Sequence, residues 1–160
     1  MLTIRPATID DVPLLRQMIA ELAEFENFAS EVTITEDQLR RDGFNDSPAF
    51  DALIAEWQGR PAGYALYFGY YSTWKGSGIF LEDLFVRPDF RGRGIGTALL
   101  AHIAKVAVER GCVLMRWEVL HTLTSAVEMY RGLGGEFLDE RRSVKLTGQS
   151  LRKLAERASQ

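Results

Sequence analysis

FLEDLFVRPDFRGRGIG, residues 80–96, joins an apolar strand to a glycine-rich turn at the start of a helix. Gly92, Gly94 and Gly96 alternate with other residues. Because glycine has no side chain, their backbone N–H groups are left uncovered. The positive end of the helix dipole lies where such a turn meets the helix. The pattern predicts a site that binds phosphate groups.

Two common phosphate-binding motifs space their glycines differently. The Rossmann fingerprint separates its second and third glycines by three positions, and the P-loop ends in Gly-Lys-Ser/Thr; residues 91–97 contain neither. A bare Gly-x-Gly can also serve only a tight strand-to-helix turn, and that alternative stays open. Arg91 and Arg93 favour the anion site, because two guanidinium groups serve an anion better than they serve a turn.

The size and composition of the chain are those of one globular domain. It has 160 residues, of which 46% are hydrophobic and 26% charged, so we predict a single domain over residues 1–160. The formal net charge of −3 gives no general attraction to nucleic acid or to an anionic membrane. No apolar run reaches the roughly 18 residues that span a bilayer. We therefore expect a cytoplasmic protein with a small-molecule partner.

Cysteine and histidine are too few for a metal centre of the usual kind. Cys112 is the single cysteine, and His102 and His121 are the two histidines. No disulfide can form within the chain, and no metal site is expected.

The spacing of apolar residues predicts an alternation of helices and strands. Strands are expected at residues 50–57, 62–71, 79–86, 112–120 and 143–146. Helices are expected at 9–25, from 36 to Gly43, at 96–110 and 124–133, and in a short polar tail. The first three strands form an antiparallel meander, and the strand, helix and strand over 79–120 form a right-handed parallel pair. The predicted fold class is mixed α/β, with a mostly antiparallel sheet and flanking helices.

Residues 91–96 resemble the Arg/Gln-x-x-Gly-x-Gly/Ala signature of the GCN5-related N-acetyltransferases (GNAT), which wraps the pyrophosphate of acetyl-CoA. Nearly the whole chain resembles the diamine (spermidine/spermine) and thialysine N-acetyltransferase branch of that family. The matching segments are RPAT at 5–8, DGF at 42–44, YSTWKG at 71–76 and LED at 81–83. The resemblance implies the GNAT fold, in which the parallel strands splay and the pantetheine arm of acetyl-CoA enters the gap. It also implies a homodimer.

The resemblance implies roles for individual residues in acetyl transfer to an amine. Glu82 would take the proton of the ammonium, directly or through a water, and Tyr130 would protonate the departing CoA thiolate. The residues implied in acetyl-CoA binding are Leu84, Phe85, Val86, Arg91, Gly92, Arg93, Gly94, Ile95, Gly96, Thr97, Thr124, Ser125, Ala126 and Tyr130. Those implied in amine binding are Phe25, Glu26, Trp74, Glu82 and Asp83.

Structural alternatives stay open at several of these positions. Taken alone, Glu82 would be an exposed carboxylate on a strand, Glu26 a solvated surface residue and Tyr130 a tyrosine packed on a helix face. Trp74 would line either the amine pocket or a dimer contact. In a regular strand Asp83 points away from Glu82, so the two carboxylates are not expected to share a proton.

At two positions the sequence departs from that branch of the family. Leu123 stands where relatives carry an asparagine that contacts CoA, and His121 replaces an acidic residue. Nothing in the sequence marks Cys112 as an activated nucleophile, so direct transfer in a ternary complex is expected. Two rival interpretations are the acetylation of another amino acid or small amine, and a non-catalytic acyl-CoA sensor. The presence of both Glu82 and Tyr130 argues against the sensor.

Overall fold

The computed structural model describes residues 1–159. The strands are β1 (Leu2–Pro6), β2 (Asp51–Trp57), β3 (Arg60–Ser72), β4 (Gly76–Val86) and β5 (Leu114–Trp117). The helices are α1 (Val12–Phe25), α2 (Glu36–Gly43), α3 (Ile95–Glu109), α4 (Thr124–Gly132) and α5 (Gly148–Glu156). These elements divide between two compact units, residues 1–118 and the residues from 119 onward.

The first unit contains a five-stranded sheet in the order β1-β2-β3-β4-β5. The pairs β1–β2, β2–β3 and β3–β4 are antiparallel, and β5 runs parallel to β4. Gln58 and Gly59 turn the chain between β2 and β3 with positive φ angles of 50° and 75°, a conformation suited to a two-residue hairpin. The sheet confirms the predicted fold class.

The core of this unit lies between α1 and the sheet. Leu15 and Met18 of α1 pack in one apolar cluster with Ile54, Tyr64 and Phe85 of the strands. Leu15 and Met18 are three positions apart on α1, a helical spacing that places both side chains on one apolar, buried face of the helix.

α3 connects β4 to β5 as the predicted crossover helix. Its buried face includes Ile95, Leu99 and Ile103. The helix ends just before Gly111, whose φ of 73° is the left-handed conformation typical of a helix C-terminus. The order strand, helix, parallel strand therefore agrees with the prediction.

Three strand predictions differ from the structure in more than a few end residues. β1 was not predicted; it pairs with β2 from Leu2↔Trp57 to Pro6↔Leu53. β5 is shorter than the predicted 112–120. The strand predicted at 143–146 is wrong, because residues 141–147 have no regular structure and Val144 is 93% exposed. Local β propensity does not suffice where no neighbouring strand supplies hydrogen bonds.

In the second unit, α4 and α5 are the regular elements. Apolar side chains of α5 lie exposed, Leu151 at 52% and Leu154 at 53%. Among residues 1–159, no helix is both long enough and apolar enough to cross a bilayer.

Candidate active site

The parallel strands β4 and β5 separate halfway along β4. Their pairing runs from Gly78↔Leu114 to Leu81↔Trp117, where β5 ends, whereas β4 continues to Val86. The pairing of β4 with β3 persists to Gly63↔Val86. Residues 82–86 therefore extend beyond the paired part of β5, as the family resemblance implied for the strand that receives the pantetheine arm.

A β-bulge lies at the point of separation, at Glu82. The register between β3 and β4 passes from Tyr67↔Leu81 to Leu66↔Asp83, so Glu82 has no partner residue on β3. A bulge bends the strand and redirects the side chains next to it. The expectation that Asp83 points away from Glu82 rested on a regular strand, and that premise is wrong here.

Acidic side chains gather around this bulge. Glu82 is exposed and Asp83 is half-buried. Glu26 follows the last residue of α1 and is also half-buried. Burial raises the pKa of Glu26, and the negative charge of Asp83 raises it further. The structure thus brings together the three carboxylates predicted to bind or deprotonate the amine.

Glu118, which was not singled out in the sequence, adds to this acidic cluster. Although Glu82 is exposed, the neighbouring protein partly shields its carboxylate from water and raises its pKa, and the charges of Asp83 and Glu118 raise it further. A carboxylate with a raised pKa is a stronger base in its ionised form, which favours a role as general base. Clustered negative charge also attracts a cationic ligand.

Asp83 receives a hydrogen bond that sequence reasoning missed. The hydroxyl of Tyr64 on β3 donates to Oδ2 of Asp83 at 2.8 Å. From the sequence, Tyr64 belongs with the aromatic residues of the core and sheet surface. The sequence offers only a general indication of this bond. A tyrosine in a buried strand needs a partner for its hydroxyl, and an acidic residue lies on the next strand.

The glycine-rich turn has the geometry expected of an anion cradle. Gly92 and Gly94 have φ angles of 72° and 76°, and a Cβ atom at either position would meet nothing within 4 Å. The backbone conformation thus favours glycine at both positions, and the space beside the turn is open. Gly94 is the N-cap of α3, so the N–H groups of Ile95 and Gly96 have no intrahelical acceptor. These residues fit a pyrophosphate group.

Arg91 and Arg93 flank this turn with exposed side chains. The Nε atom of Arg91 donates to the carbonyl of Val86 at 2.9 Å. The guanidinium of Arg91 lies over the ring of Phe25, and that of Arg93 lies 5.4 Å from the ring centroid of Trp57. Phe25, predicted to bind the amine, therefore contacts a residue predicted to bind the cofactor.

Trp74 is the predicted site residue that the structure does not bring to the acidic cluster of the same chain. It lies in the turn before β4 and is 81% exposed. Glu82 follows the first residue of β4 by six positions, a distance of about 20 Å along a strand. Of the two alternatives for Trp74, a pocket within one chain is therefore not supported.

A cavity of about 360 Å³ lies at this same far end of β4. Its lining includes Tyr70, Ser77, Gly78, Arg110 and Cys112. It is separate from Glu82 and from the glycine-rich turn, so the cavity and the acidic cluster are different features of the first unit.

Of the remaining predicted residues, Thr97 is exposed near the start of α3, and the other four lie on α4 in the second unit. Thr124 and Ser125 are exposed in the first turn of α4, Ala126 follows, and Tyr130 is 8% exposed. The N–H of Gly135 donates to the carbonyl of Tyr130 at 2.9 Å, and a Cβ at Gly135 would lie 2.8 Å from that oxygen. Glycine at 135 therefore lets the chain turn back closely after the helix.

Within residues 1–159, no group of three or more His, Cys, Asp or Glu side chains is placed to hold a metal ion.

A strand β4 that continues beyond its parallel neighbour, a glycine-rich turn at a helix start and an acidic cluster beside them are the features expected of an acetyl-CoA-dependent acyltransferase. Residues 16–134 match the model of the acetyltransferase (GNAT) family, and the chain belongs to that family. It is 41% identical over 165 residues to "Thialysine N-epsilon-acetyltransferase" of Mus musculus, covering 96% of this chain and 97% of that protein. The chain is an N-acetyltransferase that uses acetyl-CoA.

Solved structures show the same fold. An integron cassette protein from the mobile metagenome of V. cholerae matches with a TM-score of 0.79 and 24% identity, over 97% of this chain and 98% of that one. The aminoglycoside N-acetyltransferase AAC(6')-Iy, solved in complex with CoA, matches with a TM-score of 0.72 and 21% identity, over 93% and 95% of the two chains.

Proposed function

We propose that this enzyme transfers the acetyl group of acetyl-CoA to a primary amine of a diamine, a polyamine or a thialysine-like molecule. The observation that carries the proposal is the acidic cluster of Glu26, Glu82 and Asp83 beside the splayed end of β4. Clustered carboxylates suit a substrate with more than one cationic nitrogen. The name of the mouse relative supports a small amine of this kind.

Glu82 is the general base in this proposal. A primary ammonium has a pKa of about 10.4 and must lose a proton before its nitrogen can attack. Glu82 accepts that proton, directly or through a water, while the nitrogen bonds to the thioester carbonyl carbon and the carbon–sulfur bond breaks. The raised pKa of Glu82 improves its match to this task.

Tyr130 is the general acid in this proposal. A phenol carries a hydroxyl proton at neutral pH and can give it to the departing CoA thiolate. The transfer is direct and occurs in a ternary complex. An acetyl-cysteine intermediate is not proposed, because Cys112, the single cysteine, lines a cavity at the other end of β4 from Glu82.

Acetyl-CoA supplies the thioester, and the chain supplies its binding site. Gly92, Gly94 and the first N–H groups of α3 would hold the pyrophosphate, with Arg91 and Arg93 adding positive charge. The main chain of Leu84, Phe85 and Val86 would contact the pantetheine arm beside the splay. Thr97 and the start of α4, with Thr124, Ser125 and Ala126, complete the proposed set. A backbone N–H near the bulge would polarise the thioester carbonyl.

Glu26 and Asp83 are proposed to bind the cationic amine, with Phe25 at the border between the amine and cofactor sites. Leu123 precedes α4 without making a side-chain cap, so it offers no replacement for the asparagine of the relatives. His121 in place of an acidic residue reduces the attraction for a cation at that position.

We also propose that residues 1–160 act as a single domain in the cytoplasm and as a homodimer. The family model supports the single domain because its match, residues 16–134, continues from the first compact unit into the second. The exposed apolar side chains Leu151 and Leu154 of α5 support self-association. Light scattering coupled to size-exclusion chromatography tests the homodimer by mass.

A screen of acetyl-CoA consumption over a panel of amines tests the proposed function. The panel holds diamines, polyamines, thialysine, lysine and neutral monoamines. We expect turnover with cationic diamines or thialysine and weaker turnover with monoamines. Turnover only with other amino acids or neutral amines would contradict the proposed substrate class and would identify those compounds as the substrates instead. Acetyl-CoA binding without turnover on any amine would favour the acyl-CoA sensor.

A further inference from the structure

Tyr64 connects the apolar core to the acidic cluster. Its side chain is fully buried, and its ring packs edge-on against Phe85 with centroids 6.3 Å apart. A buried phenol hydroxyl without a partner is costly, and Tyr64 finds its partner in Oδ2 of Asp83 at 2.8 Å. The ring is thus part of the core, while the hydroxyl belongs to the acidic cluster.

The charges around this hydroxyl keep it protonated. Burial raises the pKa of Tyr64 well above its ordinary value, and the charges of Asp83, Glu26 and Glu82 raise it further. The phenol therefore acts as a donor at physiological pH. A hydrogen bond to an ionised carboxylate is stronger than one between neutral groups.

This donation opposes the effect of burial on Asp83. Burial raises the pKa of Asp83, whereas the hydrogen bond from Tyr64 lowers it. Without the hydroxyl, Asp83 would be buried beside Glu26 and Glu82 with one stabilising partner fewer. Its protonated form would then become more populated at a given pH.

We propose that Tyr64 is a positioning residue for the amine substrate: it holds the carboxylate of Asp83 negatively charged and in one orientation. Oδ2 of Asp83 is engaged by Tyr64, and Oδ1 is the oxygen presented to a cationic nitrogen. The inference rests on the proposed function, in which Asp83 binds the amine. It assigns part of the specificity for cationic amines to a core tyrosine that does not touch the substrate.

Tyr64→Phe isolates this role from packing. Phenylalanine keeps the ring and its edge contact with Phe85 and removes only the hydroxyl. Tyr67→Phe is the matched control, because Tyr67 is also buried on β3 but its hydroxyl is influenced by Asp51 and Arg110 instead.

The pH dependence belongs to a group of acids and is therefore measured residue by residue. Asp83 is faced by Tyr64 from β3, by Glu82 on β4 and by Glu26 after α1, while Glu118 acts on Glu82. Carbon-detected NMR follows the carboxyl carbon of Asp83 through its titration. Steady-state kinetics at saturating acetyl-CoA give KM and kcat for the amine that turns over best.

In Tyr64→Phe we expect the pKa of Asp83 to rise and the amine KM to increase several-fold, because more of Asp83 is then protonated and its carboxylate is no longer held in one orientation. We expect kcat and the acetyl-CoA KM to stay within about twofold of the wild type. As the pH falls, the rise in amine KM should begin at a higher pH in the variant. Tyr67→Phe should change none of these quantities.

An unchanged titration of Asp83, an unchanged amine KM, or equal effects in both variants would overturn the inference. If the wild type acetylates no amine, the proposed function fails separately. Calorimetric binding of putrescine then decides the inference, together with the titration: weaker binding in Tyr64→Phe than in Tyr67→Phe supports it, and equal binding overturns it.

Discussion

The guanidinium of Arg91 lies 4.2 Å from the ring centroid of Phe25, in cation–π contact. Arg91 belongs to the glycine-rich turn, and Phe25 is the last residue of α1, next to Glu26. The proposed cofactor site and the proposed amine site therefore meet at one side-chain contact.

Loss of this contact is expected to act on the cofactor. Phe25→Leu removes the aromatic face beneath Arg91, worth about 0.5–1 kcal/mol at an exposed site. The acetyl-CoA KM should rise about two- to fivefold with kcat unchanged. Phe28→Leu, at an exposed aromatic residue close by in the chain, is the control for loss of apolar surface. A change in the amine KM alone would instead place Phe25 in the amine site.

The glycine-rich turn offers a test with a matched control on the same helix. Gly94 and Gly111 flank α3 with φ angles of 76° and 73°, and neither position is crowded. Alanine at either should cost about 1–2 kcal/mol of unfolding free energy through backbone strain. Only Gly94→Ala should weaken acetyl-CoA binding, and Gly94→Asp should weaken it more, through bulk and negative charge.

Calorimetric titration with acetyl-CoA and thermal unfolding of each variant provide the two readouts. Equal acetyl-CoA affinities in Gly94→Asp and the wild type would show that the pyrophosphate does not bind at this turn.

Tyr130→Phe tests the general acid. We expect kcat to fall at least tenfold, within the usual contribution of general acid catalysis, while acetyl-CoA affinity stays close to that of the wild type. Tyr71→Phe, at a tyrosine that is 69% exposed on β3, should leave kcat unchanged. Single-turnover kinetics measure the chemical step, and wild-type turnover by Tyr130→Phe would rule out the acid role.

The parts of the fold that depend on local sequence were predictable. α1, α3 and the β2–β3 hairpin follow from apolar spacing and turn residues. β1 was missed because Leu2–Pro6 is short and becomes a strand only through pairing with β2, about 50 residues later. The segment at 143–146 shows the reverse case, in which a local strand pattern has no pairing partner.

The same distinction applies to the candidate site. Glu82, Asp83 and the glycine-rich turn lie in one continuous stretch and could be selected from the sequence. The bulge at Glu82 and the bond between Tyr64 and Asp83 depend on the register of β4 against β3. Register is a property of two strands, and a single strand does not reveal it.

The pH dependence of Glu82→Gln tests the central claim most directly, with the N-acetylated amine identified by mass spectrometry. In the wild type, kcat/KM for the amine should fall as pH decreases through the raised pKa of Glu82, because the protonated carboxyl cannot accept a proton. Glu82→Gln should be at least a hundredfold slower at neutral pH and should recover as pH approaches the amine's own pKa of about 10.4. Glu109→Gln, at an exposed glutamate of α3, should follow the wild-type profile. A loss in Glu82→Gln of equal size at every pH, or no loss, would contradict the assignment of Glu82 as the base for amine acetylation.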